Sequence, residues 1–324
     1  MFLMLPSLDT LAKEGESRAV TRRISAIDIG SNAIRMMVAE GSGSAGTPFH
    51  VLKKFRAPVR LGHDAFTTGV ISEHNFDLAL STFEQFSETN KKWGVEKVRA
   101  VATSACREAK NAQALISLVQ KNFGIKIEVI EGSEEGRLIH LAVQKELDLA
   151  GKNTMLIDVG GGSVEVTFSH GHKMMATKSF PMGTVRVLEN LSKRKLHESQ
   201  LGVIMGEFIP DLAAHIHKNA DGIKTDFAIG TGGNLECMAQ LKGQLLKKSP
   251  TTYVTLTELG EIIKGLRGIS VKDRIEKLKL RPDRADVIVP ACLLIETIMR
   301  QAEVEKIVIP NVGLRDGLIW SMLS

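Results

Sequence analysis

The chain has 324 residues, 43% of them hydrophobic and 24% charged, with a net charge of +5. These are ordinary globular values that exclude wholesale disorder and fibrous repeats, and at roughly 150 residues per domain they predict two domains. No apolar run reaches the roughly 18 residues of a membrane span, so no membrane partner is expected. The basic excess favours polyanions: nucleic acid, acidic lipid or phosphorylated small molecules. Only 5% of residues are aromatic, with Tyr253 the single tyrosine, so the core must rest on Ile, Leu, Val and Met. Cys106, Cys237 and Cys292 are odd in number and far apart. That argues against a disulfide framework or zinc knuckle and for a reducing, cytoplasmic location.

Residues 1–23 begin with a short apolar stretch interrupted by Pro6 and continue mostly polar. They lack a signal peptide's long apolar core and read as a flexible extension. Ile24 to Ile29 is the first strand, and Ile34 to Ala39 follows a Gly/Ser/Asn turn, predicting a β-hairpin. Residues 41–44 form a Gly/Ser loop, and Phe49 to Leu61 reads as extended. Ser72 caps a helix that runs to about Trp93, with apolar residues at Phe76, Leu80, Phe83 and Phe86. Val98 to Ala102 is a buried strand, and a helix follows from Asn111 to Gly124. Ile125 to Ile130 alternates as a strand, and Ser133 opens a helix through Leu147.

Asn153 to Val159 is a strand that meets Gly160-Gly161-Gly162, and Val164 to Phe168 continues beyond it. Ile-Asp-Ile-Gly-Ser near residue 28 thus recurs as Ile-Asp-Val-Gly-Gly-Gly-Ser near residue 158. The recurrence predicts two related domains, each opening with a hairpin whose turn carries Asp and Gly. The second half reads as a helix (199–216), a strand (226–229), a glycine turn (230–233) and a helix (235–241). Helices at 256–266 and 284–299, a strand at 307–309 and a final helix from Gly313 complete an α/β pattern.

Three glycine-rich turns carry the chemistry. In Asp28-Ile29-Gly30-Ser31-Asn32, glycine lets backbone N–H groups approach an anion, and Ser31 and Asn32 add donors. An aspartate at a strand end can hold Mg²⁺ directly or through water. A plain hairpin turn uses the same residues for conformational reasons, and alone that is the better reading. Asp158-Val159-Gly160-Gly161-Gly162-Ser163 has more glycine than a tight turn needs, and close phosphate approach supplies a reason. Gly230-Thr231-Gly232-Gly233-Asn234 is a third loop, placed before a helix whose N-terminus favours anions. Three such loops, each after a strand and two with Asp at the strand end, outweigh the turn reading.

In that order these motifs resemble the actin, sugar-kinase and heat-shock-chaperone ATPase superfamily. More closely, the chain resembles the exopolyphosphatase/guanosine pentaphosphate phosphohydrolase family. The matching segments are AIDIGSNAIRMMV (26–38), VATSACREAKN (101–111), VIEGSEEGRLIHLAV (129–143), LIDVGGGSVEVTF (156–168), FPMGTVRV (180–187), AIGTGGN (228–234) and a tail with RADVIVPA and GLRDGL. The resemblance implies two ribonuclease-H-like domains with mixed sheets flanked by helices, and an active site in the cleft between them. Residues 24–139 would form domain I, with residues 312–324 packing back on it, and residues 140–311 domain II. Longer family members carry a further helical C-terminal domain, for which this chain ends too early.

The segment Glu131 to Arg137 illustrates what the resemblance adds. On its own, Ser133 is an N-cap and Glu134 and Glu135 complement the helix dipole. The family's catalytic base is the acid just before a Gly-Arg or Ala-Arg pair, which implies Glu135. Adjacent helical residues point about 100° apart, so Glu134 should not share that role. Arg107 matches the family's phosphate-contacting arginine. Gly30, Ser31, Asn32, Gly160, Gly161, Gly162, Ser163, Gly230, Gly232 and Gly233 would bind phosphate, and Asp28, Asp158 and Glu165 would hold Mg²⁺. Val164 and Asn234 stand where many members have threonine. Cys106 and His140 read as structural, His63-Asp64 as a pair without metal partners, Ser192 to Lys195 as a solvated face, and Arg315-Asp316 as structural.

The expected reaction is Mg²⁺-dependent release of terminal orthophosphate from inorganic polyphosphate. Alternatives are conversion of guanosine pentaphosphate to the tetraphosphate, a sugar- or acid-kinase-like ATPase, and a non-catalytic polyanion or nucleotide sensor. Nucleic acid is not an expected partner, because basic residues are dispersed and stacking aromatics scarce. A homodimer is the self-association carried forward.

Overall fold

The computed structural model describes residues 21–42, 48–220 and 224–323. The expected extension lies, apart from residues 21–23, outside the described residues, as does part of the 41–44 loop. The first sheet runs in the order β3-β2-β1-β4-β5. Its strands are β1 (Arg22–Ile29), β2 (Ile34–Gly41), β3 (His50–Ala57), β4 (Lys97–Ala102) and β5 (Ile127–Val129). The second runs in the order β10-β11-β9-β6-β7-β8. It comprises β6 (Asn153–Val159), β7 (Val164–His170), β8 (Lys173–Phe180), β9 (Phe227–Thr231), β10 (Tyr253–Thr255) and β11 (Lys306–Val308).

The two sheets repeat one plan. β1 pairs antiparallel with β2 and parallel with β4, and β6 pairs antiparallel with β7 and parallel with β9. The expected recurrence is therefore also one of topology and register. Asp28 lies opposite Arg35 in the first hairpin, and Asp158 opposite Glu165 in the second.

Three apolar clusters hold these layers. One packs Phe83 and Phe86 of the Glu73–Lys92 helix and Leu115 and Val119 of the Ala112–Phe123 helix against the first sheet. A second packs the helices Gly233–Leu241, Leu256–Leu266 and Ile288–Gln301 against the other sheet. The third lies between the sheets. Ile24, Ala26, Met37 and Ala39 from one sheet and Leu156 and Ile229 from the other enclose Leu138, Ile139 and Val143 of the Gly132–Glu146 helix and Leu318 and Ile319 of the Leu314–Leu323 helix. Burial at roughly 25 cal/mol per Å² makes this shared apolar layer a restraint on the two sheets' relative position. Its two helices nearly touch: a Cβ on Gly317 would lie 2.0 Å from the Leu138 carbonyl oxygen, so only glycine fits.

Several elements differ from expectation. The stretch read as extended to Leu61 ends at Ala57, and a short helix, Leu61–Thr67, follows. The helix expected over 199–216 breaks into Leu201–Gly206 and Ile209–Ala220 after a 3₁₀ turn. The helix expected from Arg284 divides at Asp286 into a turn, Pro282–Ala285, and the helix Ile288–Gln301. Neither β8 nor the Thr184–Lys193 helix was signalled, because Lys173–Phe180 mixes polar and apolar residues on an edge strand. Ser72 does cap its helix, accepting from the Asn75 N–H. Among the described residues no helix is long and apolar enough to cross a membrane.

Candidate active site

A cavity of about 300 Å³ opens between the two hairpin turns. Among the sequence-predicted residues, it is lined by Asp28, Gly30, Ser31 and Asn32 from the first hairpin, Asp158 and Gly160 to Ser163 from the second, Gly232 and Gly233 from the third loop, and Glu135. The turns are in contact. Ser31 Oγ lies 2.9 Å from Ser104 Oγ, and a Cβ on Gly162 would fall 2.1 Å from that Ser104 hydroxyl. A Cβ on Gly183 would meet the Gly162 backbone at 2.4 Å. The surplus glycine at 160–162 thus has a packing reason beside any approach of an anion. The loop is also braced from behind, since Gly160 and Gly161 carbonyls accept from the N–H groups of Thr184, Val185 and Arg186.

Glu135 reaches the cavity because its helix begins one turn away and packs tightly on β7 and β8. A Cβ on Gly132 would clash with Ser179 at 2.3 Å, and one on Gly136 with the Thr177 hydroxyl at 2.7 Å. This corrects the expected N-cap: the helix starts at Gly132 with Glu131 as N-cap, and Ser133 lies inside the first turn. Glu134 and Glu135 diverge as helical geometry requires. Glu134 pairs with Arg137 at 2.6 Å and with Arg99 at 3.3 Å, while Glu135 is 7% exposed. Arg137 accordingly holds the Glu134 carboxyl below its ordinary range.

Carboxylate oxygens of Glu135, Asp158 and Glu165 lie within 4.8 Å of one another. Glu135 Oε2 and Glu165 Oε2 are buried without a hydrogen-bond partner. Burial, then the neighbouring Glu165 and Asp158, raises Glu135 well above the usual carboxylate range. Burial and Asp158 push Glu165 up to about 7, and burial raises Asp158 against a 2.6 Å hydrogen bond from the Thr231 hydroxyl. Facing carboxylates in one hairpin repel, and a buried acid without a donor is costly. An all-oxygen donor set with these unpartnered atoms fits a hard divalent cation. The buried acidic cluster is therefore able to bind a metal.

Asp28 stands apart from this cluster. Its Oδ2 accepts from Arg35 at 2.8 Å, the cation occupying in the first hairpin the register that Glu165 occupies in the second. Arg107 does not line the cavity; its Nη1 donates to the Ile130 carbonyl at 2.5 Å, just ahead of the Glu135 helix. Its charge offsets a small part of the rise at both Glu135 and Glu165. Gly230 is also outside the cavity, within β9, where a Cβ would meet Ile307 and Leu235 at 2.7 Å. Its glycine is explained by packing, which corrects its grouping with the phosphate loops. Gly232, at φ +86°, needs glycine for its backbone.

Sequence reasoning missed the cations. Arg35, Lys54, Arg56, Arg281, Arg284 and Arg315 all line the cavity. Arg35 was findable, since pairing Ile29 with Ile34 places it opposite Asp28. Arg315, read as structural, is a cavity residue in the first turn of the Leu314–Leu323 helix, whose later turns pack between the sheets. Asn234 ties Arg284 to the sheet, accepting from its Nη1 at 2.7 Å and donating to the Val159 carbonyl at 3.0 Å. Asp64 accepts from the Ser72 N–H and hydroxyl and from Asn75, His63 pairs with Glu189, and burial raises the Cys106 thiol to about 12. Residues Ser192 to Lys195 are exposed.

Two sheets of one plan, each presenting an aspartate and a glycine turn to a shared cleft, define a phosphate-handling protein of the actin-like fold. The sequence pattern of the Ppx/GppA phosphatase family matches residues 37–324, and the chain belongs to that family. It is 28% identical over 307 residues to exopolyphosphatase 1 of Mycobacterium tuberculosis, covering 93% of this chain and 88% of that one. Similarity to the guanosine-5'-triphosphate,3'-diphosphate pyrophosphatase of Photobacterium profundum is 25% over 313 residues, 95% of this chain but 61% of that protein. The crystal structure of an exopolyphosphatase from Cytophaga hutchinsonii superposes with a TM-score of 0.83 at 26% identity, covering 93% of this chain and 98% of that one. A Ppx/GppA family member from Aquifex aeolicus gives 0.73 at 24% identity, with 94% and 98% covered. As a family member, the chain is a phosphoanhydride hydrolase.

Proposed function

We propose that this protein is an exopolyphosphatase that removes terminal orthophosphate from inorganic polyphosphate with Mg²⁺. The observation that carries the reading is the pairing of three buried, mutually repelling carboxylates with six cations around one cavity. Asp158 and Glu165, opposite one another in the β6–β7 hairpin, would hold the cation, which when bound neutralises charge on the reacting phosphoryl oxygens. The turns at Gly30 to Asn32 and Gly160 to Ser163 orient the terminal phosphate, and Asp28 with Arg35 fixes the first of them. Glu135 positions water and accepts its proton. Arg107 holds the start of the Glu135 helix and adds positive charge near the carboxylates. Since phosphoryl transfer passes through a largely loose transition state, positioning and charge contribute more than base strength.

The Photobacterium relative supports a second reading, hydrolysis of guanosine pentaphosphate, which presents the same terminal group. Phosphate release with Mg²⁺ from long polyphosphate, guanosine pentaphosphate and ATP decides between them. Long polyphosphate should be the best substrate. A hundredfold higher kcat/KM on guanosine pentaphosphate would overturn that choice, and ATP-dependent phosphorylation of a sugar or acid would overturn the reaction class. The division at residues 24–139 and 140–311, a cytoplasmic location and a homodimer belong to the same proposal; sedimentation tests the last.

A further inference from the structure

The two acids of the β6–β7 hairpin sit in one row that crosses four strands. Thr231 in β9 lies opposite Asp158 in β6, Asp158 opposite Glu165 in β7, and Glu165 opposite Ser179 in β8. Those strands are neighbours in the second sheet, so the row reads hydroxyl, carboxylate, carboxylate, hydroxyl. Each outer hydroxyl donates to the acid beside it: Thr231 Oγ1 to Asp158 Oδ1 at 2.6 Å, and Ser179 Oγ to Glu165 Oε1 at 2.7 Å. Both held oxygens are also enclosed. A Cβ on Gly232 would lie 3.0 Å from Asp158 Oδ1, and one on Gly132 would lie 3.3 Å from Glu165 Oε1 and 2.3 Å from the Ser179 Cβ. The other oxygen of Glu165, Oε2, is buried without a hydrogen-bond partner. The first sheet differs. Its corresponding row is Val101, Asp28, Arg35 and Arg56, in β4, β1, β2 and β3. There a single acid is neutralised by Arg35, and no hydroxyl flanks it. The flanking hydroxyls thus accompany the two facing acids and are missing from the row that lacks such a pair.

We propose that Ser179 and Thr231 are positioning residues that select the cation: each holds one carboxylate oxygen, so that Glu165 and Asp158 present a single oxygen apiece. This role rests on the reading of those two acids as the cation's holders. A hydroxyl that donates to an ionised carboxylate makes a short, charge-assisted bond. A cation that takes both oxygens of either acid must break that bond and enter enclosed space. Mg²⁺ keeps a tight octahedral shell with one or two carboxylates and several retained waters, which single oxygens suit. Ca²⁺ gathers a larger shell of roughly 6–8 oxygens and readily uses both oxygens of one carboxylate, so the row disfavours it. Hydroxyls that served only the packing of the sheet would treat the two cations alike.

The test is Mn²⁺ binding to the full chain without substrate, followed by the paramagnetic resonance of the free ion, with Mg²⁺ and Ca²⁺ as competitors at fixed pH and ionic strength. The parent should prefer Mg²⁺ to Ca²⁺ by about tenfold or more. Ser179→Ala should weaken Mg²⁺ by about tenfold, at the low end of the roughly 10–100-fold typical for partners of metal ligands, and leave Ca²⁺ within about twofold. The preference then disappears. Thr231→Val is nearly isosteric and should act the same way, whereas Thr231→Ser keeps the hydroxyl and should retain the parental preference. Should Thr231→Val fail to fold, Ser179→Ala carries the test, since Ser179 is only partly buried and the change removes one oxygen atom. Equal weakening of both cations, or no change, would refute the positioning role and leave the hydroxyls to the sheet. Glu165→Gln tests the reading beneath it and should abolish Mn²⁺ binding. Mn²⁺ held as tightly as by the parent would remove the cation from these acids and overturn both readings. Abolished binding there, with an unaltered preference in Ser179→Ala, overturns the positioning role alone.

Discussion

Replacing Glu135 by glutamine separates what the side chain costs the fold from what it contributes to turnover. The amide is nearly isosteric, and Glu135 is 7% exposed with Oε2 lacking a hydrogen-bond partner beside Asp158 and Glu165. Its carboxylate is held in the fold against burial and like charge, which is why it titrates well above its ordinary range. Glutamine is neutral at every pH, so the fold no longer has to hold or neutralise an acid there, and it presents N–H donors to the neighbouring carboxylates. An unsatisfied buried polar group costs about 1–3 kcal/mol. The cation-free variant should therefore melt higher than the parent, by about 2–4 °C for a chain of this size. Turnover should fall by about 10²–10⁴-fold, because the group that accepts the water's proton is gone. Glu134→Gln is the control from the same helical turn. Glu134 is paired with Arg99 and Arg137 at a side-chain exposure of 28%, so its loss should cost at most about 1 kcal/mol and leave the rate within twofold. Melting followed by circular dichroism and phosphate release on long polyphosphate read both quantities. If both acids serve only the helix dipole, the two variants will behave alike, with slightly lower melting temperatures and near-parental rates, and the assignment of Glu135 fails.

Two further outcomes follow from the same geometry. Glu165, pushed from 4.5 up to about 7, binds its proton more tightly folded than unfolded. Its stabilisation is complete below about pH 4.5 and is lost as pH rises through 7, on the order of 3 kcal/mol in total. Cation-free protein should thus lose about 4 °C of melting temperature from this group between pH 5 and pH 8, and Mg²⁺ should restore more at pH 8 than at pH 5; a Mg²⁺ effect independent of pH, or an unaltered pH profile in Glu165→Gln, contradicts the cluster. Arg107→Lys keeps a charge but loses the planar fork that reaches the Ile130 carbonyl, so stability should drop by about 0.5–1.5 kcal/mol and kcat/KM should fall as the Glu135 helix start loosens. Parental rates in that variant would assign Arg107 to fold stability alone.

The parts of the site that the amino-acid sequence determined are those controlled by local geometry. A strand ending in Asp and Gly, four turn residues and a second strand define a hairpin, and with it the opposition of Asp28 to Arg35 and Asp158 to Glu165. Adjacent positions on a helix diverge, so Glu134 and Glu135 were separable without coordinates. The recurrence of the Asp-Gly hairpin also carried the two-sheet plan. What only the tertiary structure decided is which of these local pieces meet. Glu135 joins Asp158 and Glu165 because glycines at 132 and 136 let its helix lie against β7 and β8, and because Gly317 lets the last helix lock it between the sheets. The cationic wall is likewise gathered from β2 and β3 on one hand and from the turn Pro282–Ala285, its flank and the start of the last helix on the other, two groups more than 200 residues apart in the chain. No local pattern marks a surface arginine as one that will face a cavity, since its neighbours there are chosen by packing between distant elements. Gly230 failed for the opposite reason: its motif matched a phosphate loop, but Ile307 and Leu235, one of them far along the chain, occupy the space that its missing side chain leaves.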